Sequence, residues 1–532
     1  MFSPKIPDIR DEERTPLVVA LLAIIRLQHE QIQALKDETA RLKGETPRPK
    51  IKPSTLEPGT GSKDKGGDTA RGKRPGSAKR SKRGALEIHE TVVLKAERVP
   101  SGSTFKGYQD YTVQGVVLKA HTILYRRERW DTPAGESIVA PLPHQVQALG
   151  GGHFDHSLNG FVLYQSHHAQ VTQPLILEQL RELGIDISAG QVNRIITEDH
   201  DGFHAEKDEI LPAGLEVSGY VNVDDTGARH KGKNGYCTHI GNELFAWFQS
   251  TESKSRINFL ELLRAGHADY VLTAEALEYM RANTLPTAQL ERLAGDDQGF
   301  ANEAAWMAAL AARDITKKRH IRIATEGALL GSVLQHGVNP HLGIVSDDAG
   351  QFNVLLHGLC WVHAERTINK LVGFTDPQRT ALDEIRTQIW DFYKELKAYR
   401  EHPSAEQKAA RETRFDEIFT ARTCFATLNQ ALKRLHNNKS ELLLVLERPD
   451  IPLHNNTSER DIREYVKKRK ISGGTRSELG RRCRDTFASL KKTCRKLGIS
   501  FWQFLNDRLR GTGAIAPLPV LIRQRAAEAG PP

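Results

Sequence analysis

The run Gly219-Tyr220-Val221-Asn222-Val223-Asp224-Asp225-Thr226-Gly227 constrains this chain more than any other stretch. Its β-branched and aromatic residues favour extended backbone, so it predicts a buried strand that presents two carboxylates at its end. An Asp at a strand end is commonly only a turn starter. Two further acids give the pattern a chemical reading. Gly343-Ile344-Val345-Ser346-Asp347-Asp348 is a second short apolar run with the same ending, and His454-Asn455-Asn456-Thr457-Ser458-Glu459-Arg460 sets a Glu in the first turn of an expected helix. Three carboxylates suit hard divalent cations. Two Mg²⁺ ions about 3.5–4 Å apart can activate the attacking oxygen and stabilise the leaving one in phosphodiester chemistry. Such ions also offset the repulsion that would otherwise raise the carboxyl pKa values. Glu459 has a competing reading: with Asn456 as N-cap it falls at the N3 position of a capping box.

The 532 residues exceed what one core can organise, and 39% hydrophobic with 27% charged residues describes a globular chain. The longest apolar run, Leu17 to Ile25, is closed by Arg26 and falls short of the ~20 residues that span a bilayer. With no signal-peptide pattern and five scattered cysteines, the expectation is a cytoplasmic protein without membrane contact. The net charge of +9 is uneven: residues 44–84 carry +8 and residues 459–510 carry +10, leaving about −9 elsewhere. Two concentrated basic segments suggest a polyanionic partner, although either alone could be a solvated surface.

Along the chain, Val18, Ile25, Ile32 and Thr39 recur every seven residues with Leu21, Gln28, Leu35 and Leu42 three positions on, which predicts a coiled-coil helix over 1–43. A lone helix packed on its own chain would show the same repeat. Residues 44–84 read as a disordered basic linker. Period-two runs at 91–94, 113–118 and 122–130 predict a small β module over 85–145. Within 146–215, Leu175, Ile176, Leu180 and Leu183 share a helical face, Gly184 breaks it, and Ser188 can cap a second helix, a helix-turn-helix pattern in which Arg194 would face DNA. Three strands and a helix follow Gly219, so 216–510 reads as an α/β, ribonuclease-H-like domain with helical insertions near 267–335 and 374–447. Residues 511–532 read as a tail. Lys467, Lys468 and Lys470 follow Glu459 closely enough to hold phosphates near the acids.

With Asp224-Asp225-Thr226-Gly227, Ser346-Asp347, Cys360-Trp361-Val362-His363 and Asn455-Asn456-Thr457-Ser458-Glu459-Arg460 in this order, the chain resembles the transposases of the insertion sequence 66 family, from the coiled coil to Trp502. The resemblance implies Asp224, Asp347 and Glu459 as the catalytic, metal-binding triad, with Asp225 and Asp348 outside it. It implies Mg²⁺, with Mn²⁺ possible, as cofactor, and double-stranded DNA as partner, both element terminal inverted repeats and target. Asn456, Arg460 and Arg463 are then expected at the DNA beside the triad. A homodimer or higher oligomer, companion proteins of the element and a bacterial, nucleoid-associated location follow from the same likeness. The implied activity is cleavage at element ends and strand transfer into target DNA. An inactive DNA-binding derivative and a nuclease that only hydrolyses are the alternatives. Family members usually carry a Cys-rich zinc module in the β region, but Arg127 to Ile138 contains no Cys, and His89, His121 and His144 are too few. The expectation is a β module without zinc. Cys360 and His363 read as a buried thiol and a capping or DNA-facing ring rather than as ligands.

Overall fold

The computed structural model describes residues 87–529 apart from residues 97, 148, 150, 151, 296 and 297, so the expected coiled coil and basic linker lie outside it. The chain divides near Leu118 into two units. Before that point, residues 87–118 hold no helix or strand among those described. Their apolar side chains face solvent whatever their parity: Val92, Val93 and Leu94 are 68, 55 and 85% exposed. Past it, the expected β module reduces to one hairpin, β1 (Arg129–Asp131) against β2 (Ser137–Val139). This corrects the three strands expected over 91–130. Period two describes a strand with one buried face, and here neither face finds a core.

Helix α1 (His156–Leu163) runs into a π-helical turn, Tyr164–His168. Then α2 (Gln173–Glu182) and α3 (Ala189–Thr197) form around the expected punctuation. Gly184 turns the chain at φ +82°, and the Ser188 hydroxyl accepts from the Gln191 N–H. Val162, Ile176, Leu180, Ile187, Val192 and Ile195 close a small core of their own. Helix α4 (Asp201–Val217) leads into the main sheet.

That sheet begins with an antiparallel meander, β3 (Tyr220–Gly227), β4 (Tyr236–Gly241) and β5 (Ala246–Thr251), followed by α5 (Arg256–Leu263). The first insertion then supplies β6 (Tyr270–Val271), α6 (Ala274–Ala282), α7 (Thr287–Leu293), β7 (Gly299–Phe300), α8 (Glu303–Ala312) and α9 (Lys318–Gln335). Strands β8 (Gly343–Ser346) and β9 (Leu356–Leu359) complete a sheet of order β5-β4-β3-β8-β9, with β8 parallel to β3 and β9 parallel to β8. The second insertion, after α10 (Trp361–Asn369), is α11 (Asp376–Glu401), α12 (Ala405–Phe419) and α13 (Ala426–Asn437). The last helices are α14 (Asn456–Ser472), α15 (Glu478–Lys496), α16 (Phe501–Arg510) and α17 (Leu518–Ala529). The tail expected at 511–532 is thus largely helix, with Leu518 and Ile522 fully buried in the main core.

The edge strand β5 is sealed by a stripe on α15. Asp485, Ser489 and Thr493 accept hydrogen bonds from the backbone N–H groups of Ser250, Phe248 and Ala246. Four helical residues rise about 6 Å and two strand residues about 6.6 Å, so the two spacings match. Donors that would otherwise lie unpaired at a sheet edge are satisfied inside the protein.

Candidate active site

The parallel register Tyr220↔Gly343, Val221↔Ile344, Asn222↔Val345, continued two residues, sets Asp224 abreast of Asp347. Neighbouring strands lie about 4.8 Å apart, so the two residues lie side by side within β3 and just past the end of β8. The third acid arrives on α14, whose start is anchored to that sheet. Asn455 Nδ2 donates to the Val223 carbonyl at 2.7 Å, the Asn455 N–H donates to Cys360 Sγ at 3.2 Å, and the Ser458 hydroxyl lies 2.7 Å from His239 Nδ1. Glu459 follows. The helix begins at the expected cap, Asn456, so the N-cap residue is Asn455, it makes no side-chain cap bond, and Glu459 is the fourth helical residue. The capping-box reading of Glu459 is therefore corrected. Its carboxylate is held instead by Arg366 at 3.1 Å and Arg463 at 3.2 Å, with His363 Nε2 at 3.6 Å.

Burial pushes the Asp224 carboxyl up to about 7, and the charges of Asp347, Asp225 and Glu459 add to the shift. Asp224 thus lies within electrostatic reach of the other two acids. The members of each adjacent pair differ in how they are answered. Asp225 accepts from Thr238 Oγ1 at 2.5 Å and from Gln351 Nε2 at 2.9 Å. Asp348 accepts from Arg434 at 2.5 Å and from Asn438 at 3.4 Å. Asp347, by contrast, keeps a buried Oδ1 with no hydrogen-bond partner, and Asp224 Oδ1 meets only the N–H of its neighbour, at 2.7 Å.

Among the described residues, no three ligating side chains already surround a single point. The donor set nonetheless suits a hard cation, with carboxylate oxygens only and one of them orphaned in the interior. Asp224, Asp347 and Glu459 would hold it, Glu459 exchanging its arginine partners for the ion.

The structure distributes the expected DNA contacts unevenly. Arg194 is exposed on α3, a separate element. Asn456 opens α14 half-buried, Arg460 is exposed, and Arg463 is paired with Glu459. At about 100° per residue, Arg463, Lys467 and Lys470 return to within about 80° of the Glu459 direction, and Lys467 and Lys470 are exposed. Lys468, nine positions on, points the opposite way. Its ammonium donates to the Ser166 carbonyl at 2.6 Å, and burial, with Arg484 and Lys491 nearby, holds its pKa down at about 8. The expectation that it sits at the acids is corrected.

Arg366 and the basic residues of the β3–β4 loop escaped the sequence reading. His363 and Arg366 share one face of α10 at i, i+3 spacing, the signal that could have paired them; burial and Arg366 hold the imidazole below its ordinary value. The thiol of Cys360, expected to be buried, is 1% exposed and pushed up to about 11 by that burial. The β3–β4 loop carries Arg229, Lys231 and Lys233, all exposed. The Lys231 N–H donates to the Thr475 carbonyl at 2.8 Å and the Thr475 N–H to the Arg229 carbonyl at 3.0 Å, pinning this basic loop to the turn after α14. Gly474 permits the approach, since a Cβ there would sit 2.6 Å from the Arg229 oxygen.

The sequence model of the family described as "Transposase IS66 family" matches residues 344–482, a span that includes Asp347, Cys360-Trp361-Val362-His363 and Glu459. A protein of Sinorhizobium fredii (strain NBRC 101917 / NGR234), named "Uncharacterized protein y4jO", is 45% identical over 321 residues, which cover 60% of this chain and all of that protein.

Proposed function

The chain belongs to the transposase IS66 family, and from that premise we propose that it is a metal-dependent DNA transposase that cuts at element ends and transfers the strands into target DNA. The observation that carries this reading is the division within each acid pair. Asp225 and Asp348 are answered by protein donors, whereas Asp224 and Asp347 stand abreast with oxygen atoms to spare. The strand order and directions of the main sheet support a ribonuclease-H-like domain over 216–510, on which these acids and Glu459 form the triad.

Two Mg²⁺, or Mn²⁺, bound there would activate the attacking oxygen and stabilise the departing one. The protein's part is to place charge. Buried carboxylates that repel one another in the absence of cations bind them avidly. Arg366, near the acids, and Arg460, Arg463, Lys467 and Lys470, along one side of α14, would hold the phosphates on either side of the scissile bond, and the pinned loop of Arg229, Lys231 and Lys233 would extend that track. Helices α2 and α3, with Arg194, would read the terminal repeats. The N-terminal heptads would pair protomers, companion proteins of the element would complete the assembly, and the site of action would be the bacterial nucleoid. Among the described residues no helix is long and apolar enough to cross a membrane.

The test is incubation of the full-length protein with Mg²⁺ and DNA that carries the terminal inverted repeats flanking its gene, together with a target plasmid. Cleaved ends bearing 3′ hydroxyls and joined products are expected. Cleavage that never yields joined DNA would make the protein a hydrolytic nuclease. Binding without cleavage would make it an inactive DNA-binding derivative.

A further inference from the structure

Asp347 is gripped on both sides by one short stretch at the end of the second helical insertion. On its C-terminal side, Asp348 adopts φ +76°, a left-handed conformation that Asp tolerates when its side chain is tied locally. Here the ties come from the insertion, through Arg434 at 2.5 Å and Asn438 at 3.4 Å. On its N-terminal side, the Ser346 hydroxyl meets His357 Nε2 at 2.8 Å, and His357 Nδ1 meets Glu441 Oε1 at 2.8 Å. A carboxylate only accepts, so Nδ1 carries the proton, and in the neutral ring Nε2 accepts from Ser346. The same Glu441 oxygen accepts from Asn353 Nδ2 at 2.7 Å, and the next residue's carbonyl, that of Leu442, accepts from Trp361 Nε1 at 2.9 Å.

Ser346, His357 and Glu441 have the order of a nucleophile, base and acid relay. Ser346 is 0% exposed, however, so no substrate reaches its hydroxyl and the relay has no nucleophilic use. What it does is fix the end of β8. The links from Arg434 and Asn438 land on Asp348, the link from Glu441 reaches Ser346 through His357, and the Asp347 carboxylate itself keeps a buried Oδ1 without a partner.

We propose that residues 434–441 are a positioning element for the second metal-binding carboxylate, with Arg434 and Glu441 as positioning residues that hold Asp348 and, through His357, Ser346. The inference rests on the reading of Asp347 as a metal ligand and assigns the end of the insertion a role at the metal rather than at DNA. Groups that orient a ligand from behind commonly contribute 10–100-fold to metal affinity.

The experiment is Mn²⁺ binding to the full-length protein without DNA, followed by electron paramagnetic resonance, on wild type, Asp347→Asn, Arg434→Ala and Glu441→Ala, with a melting curve for each. Arg434 has a side chain 66% exposed, so its removal leaves the core intact, and it keeps the test decisive should Glu441→Ala fail to fold. Asp347→Asn is expected to abolish tight binding. Arg434→Ala is expected to weaken it about tenfold with an unchanged melting temperature, and Arg434→Lys to recover part of the affinity, because a lone cation reaches Asp348 without the fork. Wild-type affinity in Arg434→Ala, with binding abolished in Asp347→Asn, overturns the positioning role and leaves the triad standing. Wild-type affinity in Asp347→Asn removes the triad reading itself, and the positioning role with it.

Discussion

Asp225 is answered by Thr238 and Gln351, residues 13 and 126 positions away, and that separation is why the local sequence could not choose between it and Asp224. The acids themselves were legible, because a strand of Val and Tyr ending in Asp needs no partner to be noticed. Their roles depend on contacts that only the closed sheet creates, and family resemblance rather than spacing selected Asp224, Asp347 and Glu459. The structure separates the members of the two Asp pairs by their hydrogen-bond partners, whereas Glu459 is itself paired with Arg366 and Arg463. Asn455 was equally hidden, quoted within a motif but given no task. Its amide joins the start of α14 to the Val223 carbonyl, one residue from Asp224. Asn455→Ala leaves that buried carbonyl unpaired and should cost about 1–3 kcal/mol. Urea unfolding measures it, and a midpoint unchanged from wild type would show that the bond does not anchor the helix.

Helix α14 was foreseen as an element, but its phase was not. A shift of one residue at the cap moves Glu459 from a backbone-capping role to a side-chain ion pair, and only the phase tells Lys467 and Lys470 from Lys468. Replacing Lys467 and Lys470 together by Ala should slow single-turnover cleavage of DNA already bound, by roughly tenfold for each phosphate left without its ammonium, at about 1.4 kcal/mol apiece. Lys468→Ala should leave that rate alone and lower stability instead, since the Ser166 carbonyl loses its donor. Equal slowing by both variants would contradict this assignment. The pairing of the α15 stripe with β5 was not legible in the sequence, because an edge strand does not announce which helix will cover it. Thr493→Val, similar in shape but without the acceptor for the Ala246 N–H, should destabilise by about 1–3 kcal/mol in chemical denaturation. The strands expected over 91–130 fail for the converse reason: the pattern was present and the partner was not.

At the scale of the whole molecule, the basic segment over 459–510 proves to be partly internal. Lys491 and Lys492 pair with Glu464, Lys496 with Asp461, Arg508 with Glu206, and Arg481 with Glu478, so these five of its 16 cations already have acidic partners within the protein. Interior histidines should make the fold sensitive to acid. Burial holds His167, His200 and His204 below the ordinary imidazole range, His204 at about 4, and His167 and His200 pack on Phe487 of α15. A histidine neutral in the folded state and free to protonate when unfolded contributes stability that is complete above about pH 6.5 and lost as the pH falls toward 4. Melting temperature should therefore drop by several degrees between pH 7.5 and pH 5, and a flat profile would show that these rings take up protons without unfolding. The central claim, that three of the acids gathered at the end of the sheet hold the metals and their neighbours do not, is tested most directly by single-turnover cleavage of end-bearing DNA at saturating protein. The variants are Asp224→Asn, Asp347→Asn and Glu459→Gln beside Asp225→Asn. No cleavage is expected from the first three, with DNA binding retained, and measurable cleavage is expected from Asp225→Asn. Cleavage at the wild-type rate by any of the three would remove that residue from the triad, and cleavage by all three would show that these carboxylates do not hold the metals.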